Sequence, residues 1–195
     1  EVTATLTTAT TAGTLSGTVQ TLQDDSLDAA SSGAIYSIMG TDFGVFNGYY
    51  AKKVGDPWVE WTEPGIPFEI DNTTMPHVVR LVEDGVDPNG IQAIYERETW
   101  ADRGVGDPES NKAPSFIGNT INSLSFNRDR LVILSGKGFS ASRVKEPTNF
   151  WRSSVTQVLD DDRIDSEVNE TDLSGLNWLA SVSGFGVLFS NDRQF

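Results

Sequence analysis

Short apolar runs recur along this chain every ten or so residues, each closed by glycine, proline or an Asp/Asn turn signal. Runs at that spacing predict an all-β fold, mainly antiparallel, of the sandwich, barrel or propeller kind. Residues 34–39 read as a strand ended by Gly40, and 48–54 and 58–63 follow with a turn at Gly55-Asp56-Pro57. Further strands are predicted at 77–82, 92–97, 123–127, 130–135, 139–144, 176–182 and 186–190. Turns are expected at 42–44, 84–90, 128–129, 136–138 and around Gly184. Residues 101–119 hold four turn formers and little periodicity, which predicts an ordered loop, and 149–151 suits a short helix or a loop. Residues 1–23 are rich in Thr and Ala, and read either as an edge strand with a hairpin or as a flexible lead-in. No strict repeat of 20–50 residues is visible.

Composition narrows the function more than the fold. Lys and Arg total 14 against 28 Asp and Glu, a formal charge of −14. Such a surface disfavours duplex DNA binding by phosphate neutralisation. It suits solubility, or a lumen that lets DNA pass without holding it. There is no cysteine, so disulfides and thiolate chemistry are excluded from this segment. No apolar run approaches the length of a membrane-spanning helix. The chain opens at Glu1 and stops at Gln194-Phe195 straight after a strand-like run, so both ends read as cut from a longer protein.

Catalytic patterns fail on inspection. His77 is the single histidine, so imidazole chemistry would have to be built on it alone, and no Gly-x-Ser-x-Gly elbow supplies a nucleophile. Gly136-Lys137-Gly138 lacks the earlier glycine of a phosphate loop (Leu131 stands there) and the Ser or Thr after lysine. An EF-hand starting at Asp160 would need Gly at Asp165 and Glu at Thr171, which leaves at most a weak Ca²⁺ or Mg²⁺ contact on an exposed acidic turn. Trp58, Glu60, Trp61 and Glu63 form the best cluster for a sugar platform with carboxylates, against packing of one Trp in the core and the other at an edge. The two Trp are an odd number apart, so a regular strand puts them on opposite faces. Asn127-Arg128-Asp129-Arg130 offers guanidiniums either to pin loops and subunit contacts or to meet DNA phosphate. No catalytic residue, cofactor or metal ligand is assigned, and Asn72-Thr73-Thr74 and Asn169-Glu170-Thr171 match glycosylation sequons of the kind that occur by chance.

A run of unusual short motifs carries more information. It comprises Met75-Pro76-His77 after Thr74, Trp100-Ala101-Asp102-Arg103-Gly104 with Gly106-Asp107, and Pro114-Ser115-Phe116-Ile117-Gly118. Asn127-Arg128-Asp129-Arg130-Leu131, Ser142-Arg143, Asn149-Phe150-Trp151 and Asp162-Arg163-Ile164-Asp165 complete it. In order and spacing this run resembles the tail tubular protein B family, the tail nozzles of short-tailed, T7-like bacteriophages. The resemblance covers about residues 33–195, with Asp129 and Arg163 departing from the family pattern. It implies a non-enzymatic virion protein, made in the host cytoplasm and assembled into the phage tail. Its members form a homohexameric ring below a tail adaptor of the tail tubular protein A type, pass double-stranded DNA through a channel during ejection, and dock tail fibres. It also implies a β-rich domain over residues 1–113, whose first 32 carry no motif, and the first strands of a propeller-like domain over 114–195. Met75, Pro76, His77, Trp100, Arg103, Asp107, Pro114, Phe116, Arg128, Arg130, Arg143, Phe150 and Trp151 are then the candidate structural or interface residues. The competing expectation is a carbohydrate-binding or polysaccharide-depolymerising tail protein working through Trp58 and Trp61.

Overall fold

The computed structural model describes residues 2–7, 13–40, 48–66, 69–83, 90–169, 175–183 and 185–191. Within them the chain is nearly all β. The strands are β1 (Leu6–Thr7), β2 (Leu15–Val19), β3 (Ile35–Ile38), β4 (Tyr49–Lys53), β5 (Trp58–Trp61), β6 (Glu69–Ile70) and β7 (His77–Glu83). They continue with β8 (Ile91–Arg97), β9 (Ile121–Asn127), β10 (Arg130–Ser135), β11 (Gly138–Ala141), β12 (Ile164–Glu167), β13 (Leu176–Val182) and β14 (Phe185–Ser190). Two single 3-10 turns, Asp25–Leu27 and Asn72–Thr74, are the helical content of the described residues.

Two four-stranded sheets organise the fold. The first has the order β2-β3-β4-β5. Its β2–β3 pair is parallel and the others are antiparallel, so the antiparallel expectation holds with one exception. Val19, Leu27, Ile38 and Ala51 form its core, with Tyr36, Tyr49 and Trp58 against them. The second sheet is an antiparallel meander with the order β12-β11-β10-β9. Its central strand β10 is buried throughout, because one face meets the main core and the other meets the β13–β14 hairpin. Val132, Leu134 and Ala141 pack there on Leu176, Leu179 and Leu188.

The main core draws on distant parts of the chain. Ala4, Ile70, Met75 and Trp100 meet Phe116, Leu131, Ile133, Phe150 and Trp151 in one cluster. Residues before and after position 114 therefore share it. The N-terminal segment, which carries no motif, takes part: Ala4 is fully buried, the Gly118 N–H donates to its carbonyl, and β1 pairs with β6. Small residues fit here because the loop at 117–120 runs directly against the Thr3-Ala4 backbone.

Most expected strands stand within a residue or two of their predicted bounds. Two readings change, and one left open between helix and loop is resolved. Strand β11 ends at Ala141 rather than 144, since the Ser142 N–H donates to the Leu131 carbonyl as the chain turns away. Residues 149–151 are loop, held by Asn149 Oδ1 accepting from the Trp151 N–H at 3.1 Å. The acidic stretch 160–165 is only in part the expected exposed turn: Asp160 is exposed in a turn, but Asp162 is buried and Ile164–Glu167 pairs with β11. The expected turn at 42–44, most of the turn at 84–90, Gly184, most of the sequon at 169–171 and the last four residues lie outside the described residues.

Candidate functional site

The motif residues fold into a buried knot rather than an open cleft. Phe116 meets Phe150 edge-on at 5.1 Å, and Trp100 lies tilted 5.9 Å from Phe150. Such aromatic contacts add to the burial of three large side chains and make the knot stiff. Met75 and Pro114 are fully buried around it. The Trp151 indole N–H donates to the Ala101 carbonyl at 2.8 Å, so the loop after β8 and the loop after β11 are tied by side chain as well as by packing. A backbone bond from the Ala101 N–H to the Thr148 carbonyl repeats the tie.

Arg103 sits inside this knot with its guanidinium over the Trp151 ring at 5.3 Å. It donates to the Asn111 carbonyl at 3.2 Å. Burial pulls its pKa down from the ordinary arginine value, while the charges of Asp107 and Glu63 push the other way. Asp107 behaves in the opposite sense. Burial alone would raise its carboxyl, but donors from Ser110 and the Glu109 N–H outweigh it and hold the group below the usual range. The Gly106-Asp107-Pro108-Glu109-Ser110 turn is thus pinned by its own aspartate. Asn111, fully buried, donates to the Val105 carbonyl at 3.0 Å and accepts from the Arg152 N–H at 3.1 Å.

A second set of ties surrounds the meander. Buried Arg130 donates to the carbonyls of Ser142 and Asp162 at 2.6 Å each and of Asp160 at 3.1 Å. It closes the loop onto β10 and is not turned toward a phosphate. Arg128 is exposed at the β9–β10 hairpin, where it and Asp129 adopt φ of 49° and 59°. Positive φ at both residues is what a two-residue type I′ turn requires. Arg143 reaches Glu146 at 3.0 Å and Asp161 at 2.5 Å. Asp162 accepts from the Ser153 N–H and hydroxyl at 2.9 Å. Burial would raise its carboxyl, but these donors and the Arg152 charge keep it below the ordinary value. Asp165 accepts from Ser140 at 2.5 Å, Ser115 at 2.8 Å and Arg163 at 3.1 Å.

Glu60 and the two tryptophans are also spoken for. Glu60 accepts from the Ser154 hydroxyl at 2.8 Å, the Val155 N–H at 2.7 Å and the Thr156 hydroxyl at 2.5 Å. Trp58 packs edge-on against Tyr36 at 5.7 Å, on the core side of its sheet. Trp61 lies on the other face beneath the Lys52 ammonium at 3.9 Å. The odd spacing therefore separates the rings as expected. Among the described residues no group of three or more His, Asp or Glu side chains could hold a metal ion, and no helix is long and apolar enough to cross a membrane.

Of the candidate residues, Met75, Trp100, Arg103, Pro114, Phe116, Phe150 and Trp151 come together in the knot, with Asp107 at its margin. Arg130 and Arg143 belong to the meander loop, Pro76 lines the foot of the β7–β8 ribbon, and His77 starts that ribbon, stacked on Tyr95 at 4.8 Å. Gly106, Asp162 and Glu60, which the sequence showed only within larger motifs or in a different role, and Asn111, which it did not single out, do as much positioning as any of these. Asn111 and Glu60 bind residues about 41 and 95 positions away, a separation no local pattern reveals.

This architecture is that of a rigid all-β scaffold whose most distinctive residues build cores and loop ties rather than reaction chemistry. The sequence model of the bacteriophage nozzle proteins matches residues 3–195. The chain is also similar to the tail tubular protein gp12 of Escherichia phage T7, at 31% identity over 170 residues, 76% of this chain. The chain spans 20% of that relative's length. It belongs to the bacteriophage nozzle protein family, a family of structural phage tail proteins.

Proposed function

We propose that this chain is part of a ring-forming nozzle subunit at the end of a short phage tail. In this reading the ring conducts the genome during ejection, abuts a tail adaptor and docks tail fibres. The match to the nozzle family over residues 3–195 carries the proposal. The physical features agree with it. A conduit under load needs stiff loops, and the motif run is spent on a buried aromatic knot and on arginine-to-carbonyl ties. A net charge of −14 disfavours holding DNA by phosphate neutralisation.

The domain division follows the same reading. The β9–β12 meander has the four antiparallel strands of a propeller blade, and β13–β14 would begin the next blade. Residues 1–113 would form a β-rich part that covers one face of that first blade and shares its core through Ala4, Ile70, Met75 and Trp100. The glycan-binding reading is less well supported, because Glu60 is saturated by the 154–156 loop and the two Trp rings cannot form one platform.

The deciding experiment is light scattering and negative-stain imaging of the full-length protein. Sixfold rings with a central hole are the expected result. A monomer at all accessible concentrations would overturn the nozzle reading, and polysaccharide binding and cleavage would then be tested.

A further inference from the structure

The β7–β8 ribbon stands out as surface that this chain does not use for itself. All seven residues of β8 are exposed, and β7 is exposed except at two half-buried valines. Seven cross-strand pairs run without a register shift from His77↔Arg97 to Glu83↔Ile91. Paired residues share a face, so His77, Val79, Leu81 and Glu83 lie on one side with Ile91, Ala93, Tyr95 and Arg97. The middle of that face is apolar, with Leu81 at 72% and Tyr95 at 71% exposure. The opposite face carries the Arg80–Glu96 and Arg80–Glu98 ion pairs. An isolated two-stranded ribbon is marginal in water, so an apolar face left open on one calls for a partner.

Its edges point the same way. Among the described residues β7 and β8 pair only with each other, which leaves each with an unpaired outer edge. Neither strand contains Lys, Pro or Gly, and neither has a bulge, so several of the usual guards against strand addition are missing, and the charged residues present balance in sign.

Charge selects the partner. Arg80 and Arg97 balance Glu83 and Glu96, so the two strands are neutral in a chain of −14. A neutral ribbon gives nothing to DNA phosphate. It is, however, a place where two copies of a strongly acidic chain can meet without adding charge repulsion. The apolar face is also bounded by opposite charges, Arg97 at its foot and Glu83 toward its tip, a polar rim of both signs for the different surface that a neighbouring copy presents in a ring.

We propose that the β7–β8 ribbon is a subunit contact, its Val79–Leu81–Tyr95 face and free edge packing on a second copy of this chain. The proposal rests on the ring reading. It is tested in the full-length protein by Leu81→Glu with Tyr95→Glu, two exposed positions whose change adds charge to the contact without touching a core. Light scattering of wild type and variant is run beside far-ultraviolet circular dichroism and thermal unfolding. The expected result is a folded variant that needs at least about tenfold more protein to assemble than wild type does. A variant that assembles like wild type, with unchanged unfolding, would overturn the ribbon contact and leave the ring standing. Unchanged assembly with a lowered unfolding temperature would place the rest of the same polypeptide on the ribbon and also overturn it. A wild type that never assembles would overturn both readings. A single Leu81→Cys, unique in this cysteine-free segment, gives a second readout: thiol labelling is expected to be slow in the assembly and fast after dissociation.

Discussion

Gly106 offers a sharp test of how tightly the knot is built. Its φ is +77°, and a Cβ there would stand 2.6 Å from Val155 Cγ1, 2.7 Å from Ser110 Oγ and 3.2 Å from Asn111 Cβ. Gly118 has nearly the same φ, +79°, but a Cβ there meets nothing within 4 Å. Placing Ala at either position costs about 1–2 kcal/mol for left-handed backbone, offset by up to roughly 1 kcal/mol from the less mobile unfolded chain. Only Gly106→Ala adds overpacking, about 1–3 kcal/mol, because Asn111 is held at both ends of its amide and Val155 is held through its N–H by Glu60. Gly118→Ala is therefore expected to lose about 0–2 kcal/mol, and Gly106→Ala about 1–3 kcal/mol more than that. Urea unfolding followed by tryptophan fluorescence reads the difference, since Trp100 and Trp151 both lie in the knot. Equal losses for the two variants would refute the close approach of the 106–111 turn to the 152–155 loop.

Two further outcomes follow from the same geometry. Arg130→Met keeps an unbranched apolar stem but strips donors from the Ser142, Asp160 and Asp162 carbonyls, and a loss of about 2–4 kcal/mol in urea unfolding is expected; a loss below about 1 kcal/mol would show that water replaces the guanidinium freely. Asp107 and Asp162 both hold carboxyl pKa values below the ordinary 3.8, so the folded state binds fewer protons there than the unfolded state. Their contribution is present above that value and is lost as pH falls through the folded values, and Asp107→Asn with Asp162→Asn should flatten the acid side of the stability–pH curve. An unchanged acid limb would show that these carboxylates are not selectively stabilised in the fold.

Much of the local structure was legible because strands announce themselves. The 77–83 and 130–135 runs are apolar and β-branched, and the turn between 135 and 138 has glycine at its positive-φ position, whereas the turn between 127 and 130 puts Arg128 and Asp129 there. Strand β12 was hidden, since Ile164-Asp165-Ser166-Glu167 has a poor strand composition and forms only because β11 offers it an edge. Residues 2–7 read as either an edge strand or a lead-in, and their partners were not legible: the backbone bonds from the 117–121 loop to Val2 and Ala4 and the pairing with β6 do not depend on side-chain pattern.

By itself, the sequence determined that the chain is all-β, that it holds no cysteine and a single histidine, and that its motif run resembles the nozzle family. These properties depend on residue types, short spacing and order, which survive without coordinates. Only the tertiary structure decided that the motif run is a buried knot, that Arg130 serves carbonyls, that Glu60 is tied to the 154–156 loop, and that the apolar faces of β7 and β8 are left open to solvent. Those outcomes depend on which distant segments meet. The Val79–Leu81 alternation would read the same whether a sheet covered it or water did.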